Sequence, residues 1–131
     1  MSSVSAAGVS QVSIRRLGPG DRAILELLAR EDPDFDLDER SEPRPPLPEA
    51  QADAYLQNPA VLHWIATAGE TITGFLYCLH IPLRSGAGQE LLLYEIGVRK
   101  AWRRRGVGRA LLQKMEQWMR ESGVTEVWVL A

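Results

Sequence analysis

The sequence predicts a mixed α/β domain: one sheet, part antiparallel and part parallel, with helices on its faces. Three observations carry this. The C-terminal stretch runs strand, helix, strand, which requires a parallel pair joined by a right-handed crossover. The strands before it are joined by short turns and fit antiparallel neighbours. Ahead of them lie segments whose apolar residues recur at helical spacing. At 131 residues, the chain has room for one domain and one modest core.

Residues 1–11, MSSVSAAGVSQ, are small and polar and read as a disordered lead. They have neither a basic stretch nor a continuous apolar run, so they are not a secretory signal. Val12 to Arg15 alternates and opens the sheet, closed by Leu17-Gly18-Pro19-Gly20. From Asp21 the residues Ile24, Leu25, Leu27 and Leu28 give a helix to about Arg30. Pro33 to Pro48 is rich in proline and acids, lacks periodicity and reads as a loop. Pro48 suits the first position of a short helix that buries Ala52, Tyr55 and Leu56 and ends at Asn58-Pro59.

Val61–Ala68 and Thr71–Ile81 are β-rich and meet at Gly69-Glu70, as in a hairpin. Pro82 and the Ser85-Gly86-Ala87-Gly88 segment precede the strand Glu90–Val98. Gly106 to Ser122 is the clearest helix, with Val107, Leu111, Met115 and Trp118 as its apolar stripe and Leu112 and Met119 beside it. Gly123 fits just past its end, and Val124 to Leu130 forms the last strand.

Formal net charge is −2, so the molecule has no bulk attraction for nucleic acid or anionic lipid. No run is long enough to span a membrane, and a cytoplasmic protein is the default expectation. The single Cys78 excludes an internal disulfide. Charge is nevertheless segregated. Arg99, Lys100, Arg103, Arg104, Arg105 and Arg109 crowd one turn, while Glu31, Asp32, Asp34, Asp36, Asp38, Glu39 and Glu42 crowd another.

The basic turn is the centre of interest. Leu91 to Leu112 reads LLLYEIGVRKAWRRRGVGRALL: an apolar strand, a basic turn, then Gly106-Val107-Gly108 opening a helix. Free amides at a helix start, beside arginines, suit a large phosphorylated anion. A dinucleotide site would place GxGxxG directly after its strand, but Leu111 occupies the third glycine position. A P-loop would need GxxxxGK[ST], which is absent. A nucleic-acid patch would interleave aromatics, and only Trp102 interrupts the run, where it packs the turn.

Residues Val98 to Gly108 resemble motif A of the GCN5-related N-acetyltransferase (GNAT) family. The family pattern Gln/Arg-x-x-Gly-x-Gly/Ala is met by Arg103-Arg104-Arg105-Gly106-Val107-Gly108, preceded by Ile96-Gly97-Val98 and followed by Arg109-Ala110-Leu111-Leu112. The order of elements over residues 12–131 is similar too, so the resemblance implies a single domain of that fold. It implies acetyl-CoA as cosubstrate and no metal. Ile96, Gly97 and Val98 would hold the pantetheine arm through the backbone, and Arg103 through Arg109 the diphosphate. Within the family the chain looks most like the small aminoglycoside 3-N-acetyltransferases, which carry an aromatic-acid pair where Tyr94-Glu95 stands.

Glu95 is the candidate general base, since a carboxylate in an apolar strand is costly unless paired, solvated or used. Strand alternation puts Tyr94 on the opposite face. His63 and His80 are weaker base candidates, and Cys78 is read as packing rather than as an acetylated nucleophile. The acidic Glu31–Glu42 segment lies where the family places part of its acceptor wall, and would draw a polycation such as an aminoglycoside.

The chain ends at Val129-Leu130-Ala131, where family members continue with an Asn-x-x-Ala helix, a Tyr-x-x-x-Gly-Phe segment and final strands. The expectation is therefore a C-terminally incomplete domain with no assigned general acid. The activity expected is direct acetyl transfer to a primary amine of a small cationic molecule. Protein amines or a non-catalytic acyl-CoA-binding module are the alternatives. A small-molecule amine is the expected partner, and a homodimer stays open.

Overall fold

The computed structural model describes residues 12–35, 42–86 and 88–129. The expectation for residues 1–11 lies outside them, as do Asp36, Asp38 and Glu39. Strand β1 (Ser13–Arg16) is followed by helix α1 (Arg22–Arg30), a single helical turn α2 (Asp32–Phe35) and helix α3 (Glu49–Gln57). Then come β2 (Val61–Ala68), β3 (Thr71–Ile81), β4 (Glu90–Val98), a 3₁₀ turn over Lys100–Trp102, helix α4 (Val107–Ser122) and β5 (Glu126–Val129).

The strands form one sheet in the order β1-β2-β3-β4-β5. The first three pairings are antiparallel and β4–β5 is parallel, as the strand-helix-strand pattern requires. Three details differ from the sequence reading. The proline- and acid-rich loop contains α2, because Phe35 has a buried place against Phe75 that periodicity over four residues does not reveal. Pro48 caps α3 from outside, with extended backbone, rather than occupying its first turn. The last strand is shorter, starting at Glu126, and Leu130 lies outside the described residues.

The two faces of the sheet hold separate clusters. On one face α4 lays Val107, Leu111 and Met115 against Leu62, Trp64, Leu76, Cys78, Leu91 and Leu93. On the other, α1, α2 and α3 bring Leu28, Phe35 and Leu56 to Ile65, Ile72 and Phe75. Alternation assigns residues to these faces except at two breaks, at Thr73, where β3 shifts against β2, and in the middle of β4. There Cys78 pairs with Leu93 while its neighbour Tyr77 pairs with Glu95, leaving Tyr94 as an extra residue. This is a β-bulge, and it reverses the alternation. Leu91 and Leu93 serve the α4 core, yet Glu95 and Gly97 stand opposite Tyr77 and Phe75 on the other face. Without the bulge, Glu95 would point into the apolar cluster under α4.

Among the described residues, no helix is long and apolar enough to cross a membrane.

Candidate active site at the bulge of strand β4

The bulge corrects one sequence expectation. Tyr94 does not simply face away from Glu95: its ring packs edge-on against Tyr77 at 5.3 Å, and Tyr77 is the cross-strand partner of Glu95. Glu95 therefore opens onto the face where α1, α3 and the 44–47 segment leave a cleft of about 290 Å³. Its walls include Leu25, Leu28, Tyr55, His63, Phe75 and Tyr77, with Asp32 and Arg44 at the rim. A smaller cavity of about 120 Å³ continues from it past Phe35 to Ile96 and Gly97. Glu95 lines both.

Beyond the bulge one edge of β4 is open among the described residues. β5 pairs with Glu90–Leu93, and no described strand pairs with Tyr94–Val98 on that side. Peptide groups there are available to an extended ligand that adds itself as a strand. Gly97 is dictated by packing on the other face, since a Cβ there would stand 2.7 Å from the Phe75 ring.

The chain then turns into α4. Arg103 donates from Nε to the Val98 carbonyl at 3.1 Å and ties the turn to the strand end. Arg104 and Gly106 both adopt left-handed backbone, with φ of 64° and 84°, which curls the turn tightly before the helix. The first intrahelical bond runs from the Ala110 amide to the Gly106 carbonyl, and no side chain caps the helix. The amides of Val107, Gly108 and Arg109 thus precede the helical bonding pattern. No acidic residue sits in this first turn to compete for them. A Cβ on Gly108 would meet only Val98, at 3.8 Å, so glycine there is not demanded by protein packing.

These features fit the anion end of acetyl-CoA: uncapped amides at a positive helix terminus, an open approach at Gly108, and exposed Arg104, Arg105 and Arg109 around them. Trp102 is partly buried against the core, with the Arg105 guanidinium over its ring at 5.0 Å. Arg99 belongs elsewhere. It pairs with Glu31 at 2.9 Å and Asp34 at 3.0 Å, donates to the Ile72 carbonyl and covers the Phe35 ring. Asp32 pairs with Arg44. Three acids of the expected acceptor wall are thus engaged by arginines, and only Asp32 of them lines the cleft.

The other sequence candidates separate cleanly. Cys78 is fully buried under α4, beside the Met115 sulfur, and burial pushes its thiol up to about 12. It is packing, as expected. His80 bonds Gln89 and packs on Trp118, away from the cleft. His63 does line the cleft, but burial pulls its imidazole down to about 4, which makes it a poor proton acceptor at neutral pH.

The family model of the acetyltransferase (GNAT) family matches residues 22–131. The chain belongs to that family. It is an acetyl-CoA-dependent N-acetyltransferase, and the mixed sheet described above is the family's fold. No curated protein matches it in sequence. Solved structures do match its shape. An aminoglycoside acetyltransferase from an uncultured soil metagenomic sample superposes with a TM-score of 0.82 at 22% identity, over 92% of this chain and 79% of that one. Another from such a sample, solved with sisomicin, gives 0.75 at 22% identity over 93% and 78%. The aminoglycoside N-acetyltransferase AAC(6′)-Iy in complex with CoA gives 0.66 at 19% identity over 92% and 76%. At such identities the likeness establishes the fold.

Proposed function

We propose that residues 12–131 act as one acetyltransferase domain that transfers acetyl directly to a primary amine held in the cleft, with Glu95 as general base. One observation carries this reading: Glu95 lines both the cleft and the cavity that leads to the open edge at Ile96 and Gly97. An amine reaching that carboxylate from the cleft meets the cofactor edge on its other side.

Acetyl-CoA supplies the acetyl group already activated as a thioester. The backbone of Ile96, Gly97 and Val98 holds its pantetheine arm. The amides of Val107, Gly108 and Arg109 hold the diphosphate, and Arg103, Arg104 and Arg105 supply positive charge around it. Glu95 takes a proton from the bound ammonium, a contribution of about 10²–10⁴-fold in rate for a placed base. The neutral amine then attacks the thioester carbonyl, the C–S bond breaks, and the coenzyme leaves as a thiolate that is protonated from solvent. A backbone N–H of the open β4 edge is the donor at hand for the carbonyl oxygen as it gains charge. Holding both reactants in line supplies the larger share, up to about 7–11 kcal/mol.

The acceptor in this reading is an aminoglycoside, acetylated at its 3-amino group. The Tyr94-Glu95 pair and the structural neighbours support that class. The decisive experiment is calorimetric titration with acetyl-CoA, followed by thiol release across an amine panel that includes aminoglycosides, polyamines and peptide N-termini. Failure to bind acetyl-CoA overturns the site. Binding without thiol release for any amine leaves a non-catalytic acyl-CoA-binding module.

A further inference from the structure

Three aromatic and acidic side chains stand in a row across the sheet. His63 on β2 pairs with Tyr77 on β3, and Tyr77 pairs with Glu95 on β4. All three line the cleft. Neighbouring strands lie about 4.8 Å apart, so the row places an imidazole and a carboxylate roughly 10 Å from each other at their backbones. Between them lies the tyrosine ring, stacked on the imidazole with an angle of 20° between planes.

His63 is 7% exposed, and its two nitrogens are treated differently. Nδ1 shares a 2.8 Å hydrogen bond with the Tyr55 hydroxyl. Nε2 is buried and has no hydrogen-bond partner among the described residues. A buried polar atom without a partner costs stability, and native proteins leave few of them. The Tyr55 bond also locks the ring, because Nδ1 and Nε2 must take complementary donor and acceptor roles.

We propose that His63 is a specificity residue whose Nε2 is completed by a hydroxyl of the acceptor, so that the enzyme selects amino alcohols with a ring-sized body. This rests on the acetyl-transfer reading above. The acceptor ring lies along Tyr77 with its amine at Glu95 and a hydroxyl at His63. A hydroxyl is the partner of choice because it both donates and accepts, and so satisfies Nε2 in either tautomer. A further ammonium group could only donate. A neutral imidazole also adds no charge that would repel a cationic acceptor.

A matched pair of probes tests this: 2-deoxystreptamine and cis-1,3-diaminocyclohexane share a ring and two amines and differ in three hydroxyls. Wild-type enzyme is expected to favour the hydroxylated probe in kcat/KM by about tenfold to a hundredfold, since a buried group built for a hydroxyl rejects its absence. In His63→Phe, which keeps an aromatic ring, that ratio falls to within about threefold. His63→Gln, able to donate or accept, restores part of it. An unchanged ratio in His63→Phe, or no preference in wild type, overturns the proposal.

A second measurement is independent of turnover. The chain has two histidines, so ¹⁵N spectra of histidine-labelled protein resolve His63 from His80, with His80 as internal control. The His63 Nε2 resonance should move with 2-deoxystreptamine and stay in place with diaminocyclohexane. If it moves while no amine is acetylated, the transfer reading fails and His63 remains only a hydroxyl contact for a bound amino alcohol. If amines are acetylated while it responds to neither probe, the transfer reading stands and the His63 proposal is overturned.

Discussion

The two faces of the sheet carry opposite kinds of polar chemistry. Under α4 the face is closed: Leu62, Leu76, Cys78, Leu91 and Leu111 have no exposed surface, and the one thiol among them is silenced by burial. Under α1 and α3 the face is open, and its walls include a carboxylate, an imidazole and two phenols. Strand β4 serves both, because Tyr94 shifts its register halfway. One strand can therefore contribute Leu91 and Leu93 to a dry core and Glu95 to a reactive cleft. Stability and reactivity are separated by face, and the bulge is the switch between them.

If that separation holds, substitutions on the two faces should fail in different assays. The largest effect expected is from Glu95→Gln, which keeps the shape of the side chain and removes its basicity. Turnover should fall by about 10²–10⁴-fold while acetyl-CoA affinity and melting temperature stay near wild type. Matching rates across the pH range would remove Glu95 as the base. On the closed face the opposite pattern is expected. Leu111→Ala opens a cavity under α4 and should cost about 2–5 kcal/mol in denaturant unfolding. A loss under 1 kcal/mol would mean that this face is not the closed core it appears in the packing.

His63 sharpens the comparison because it is a titratable group buried on the open face. Its folded pKa of about 4 lies below the usual 6.5. The unfolded chain therefore binds the proton more tightly, and stability from the neutral ring is fully present above pH 6.5. It is lost as pH falls toward 4, by roughly 3 kcal/mol in all. In His63→Phe this part of the pH dependence should vanish, so the two unfolding curves diverge between pH 6.5 and 4. Parallel curves over that window would show that the ring is already protonated or exposed when folded.

Much of this architecture was legible in the sequence, and the reason differs by element. The bounds of β2, β3 and β4 follow from long β-rich runs ended by Gly69-Glu70, Pro82 and the basic turn. The Gly106 and Gly123 ends of α4 follow from glycine's ease in left-handed backbone, which both adopt. The bulge was not legible. Alternation assumes unbroken pairing, and LLLYEIGV has no proline, while its one glycine, Gly97, lies three residues past the shift and does not mark it. The cleft was legible only in part. Tyr55 reads as part of the buried face of its helix, and Phe75 and Tyr77 only as residues of a β-rich run, because nothing local says that α1 and α3 stop short of covering them. The acidic segment misled in another way: composition showed its charge but not that Arg99 and Arg44 would engage Glu31, Asp34 and Asp32.

The smallest structural effect, and the one that isolates the helix mouth, is expected at Gly108. Its ordinary backbone and the 3.8 Å clearance to Val98 leave room for a side chain, so Gly108→Val should change stability by less than about 1 kcal/mol. The same side chain would stand among the amides of Val107, Gly108 and Arg109 and block the approach of a diphosphate. Acetyl-CoA affinity should drop on the order of tenfold or more, about 1.4 kcal/mol per decade. Gly74→Ala supplies the contrast. There a Cβ would come within 2.9 Å of both the Gly97 carbonyl and the Val107 side chain, where α4 meets the sheet. That variant should lose stability first and cofactor affinity only as a consequence. If Gly108→Val instead unfolds the protein while Gly74→Ala does not, the helix mouth is held by packing rather than kept open for an anion.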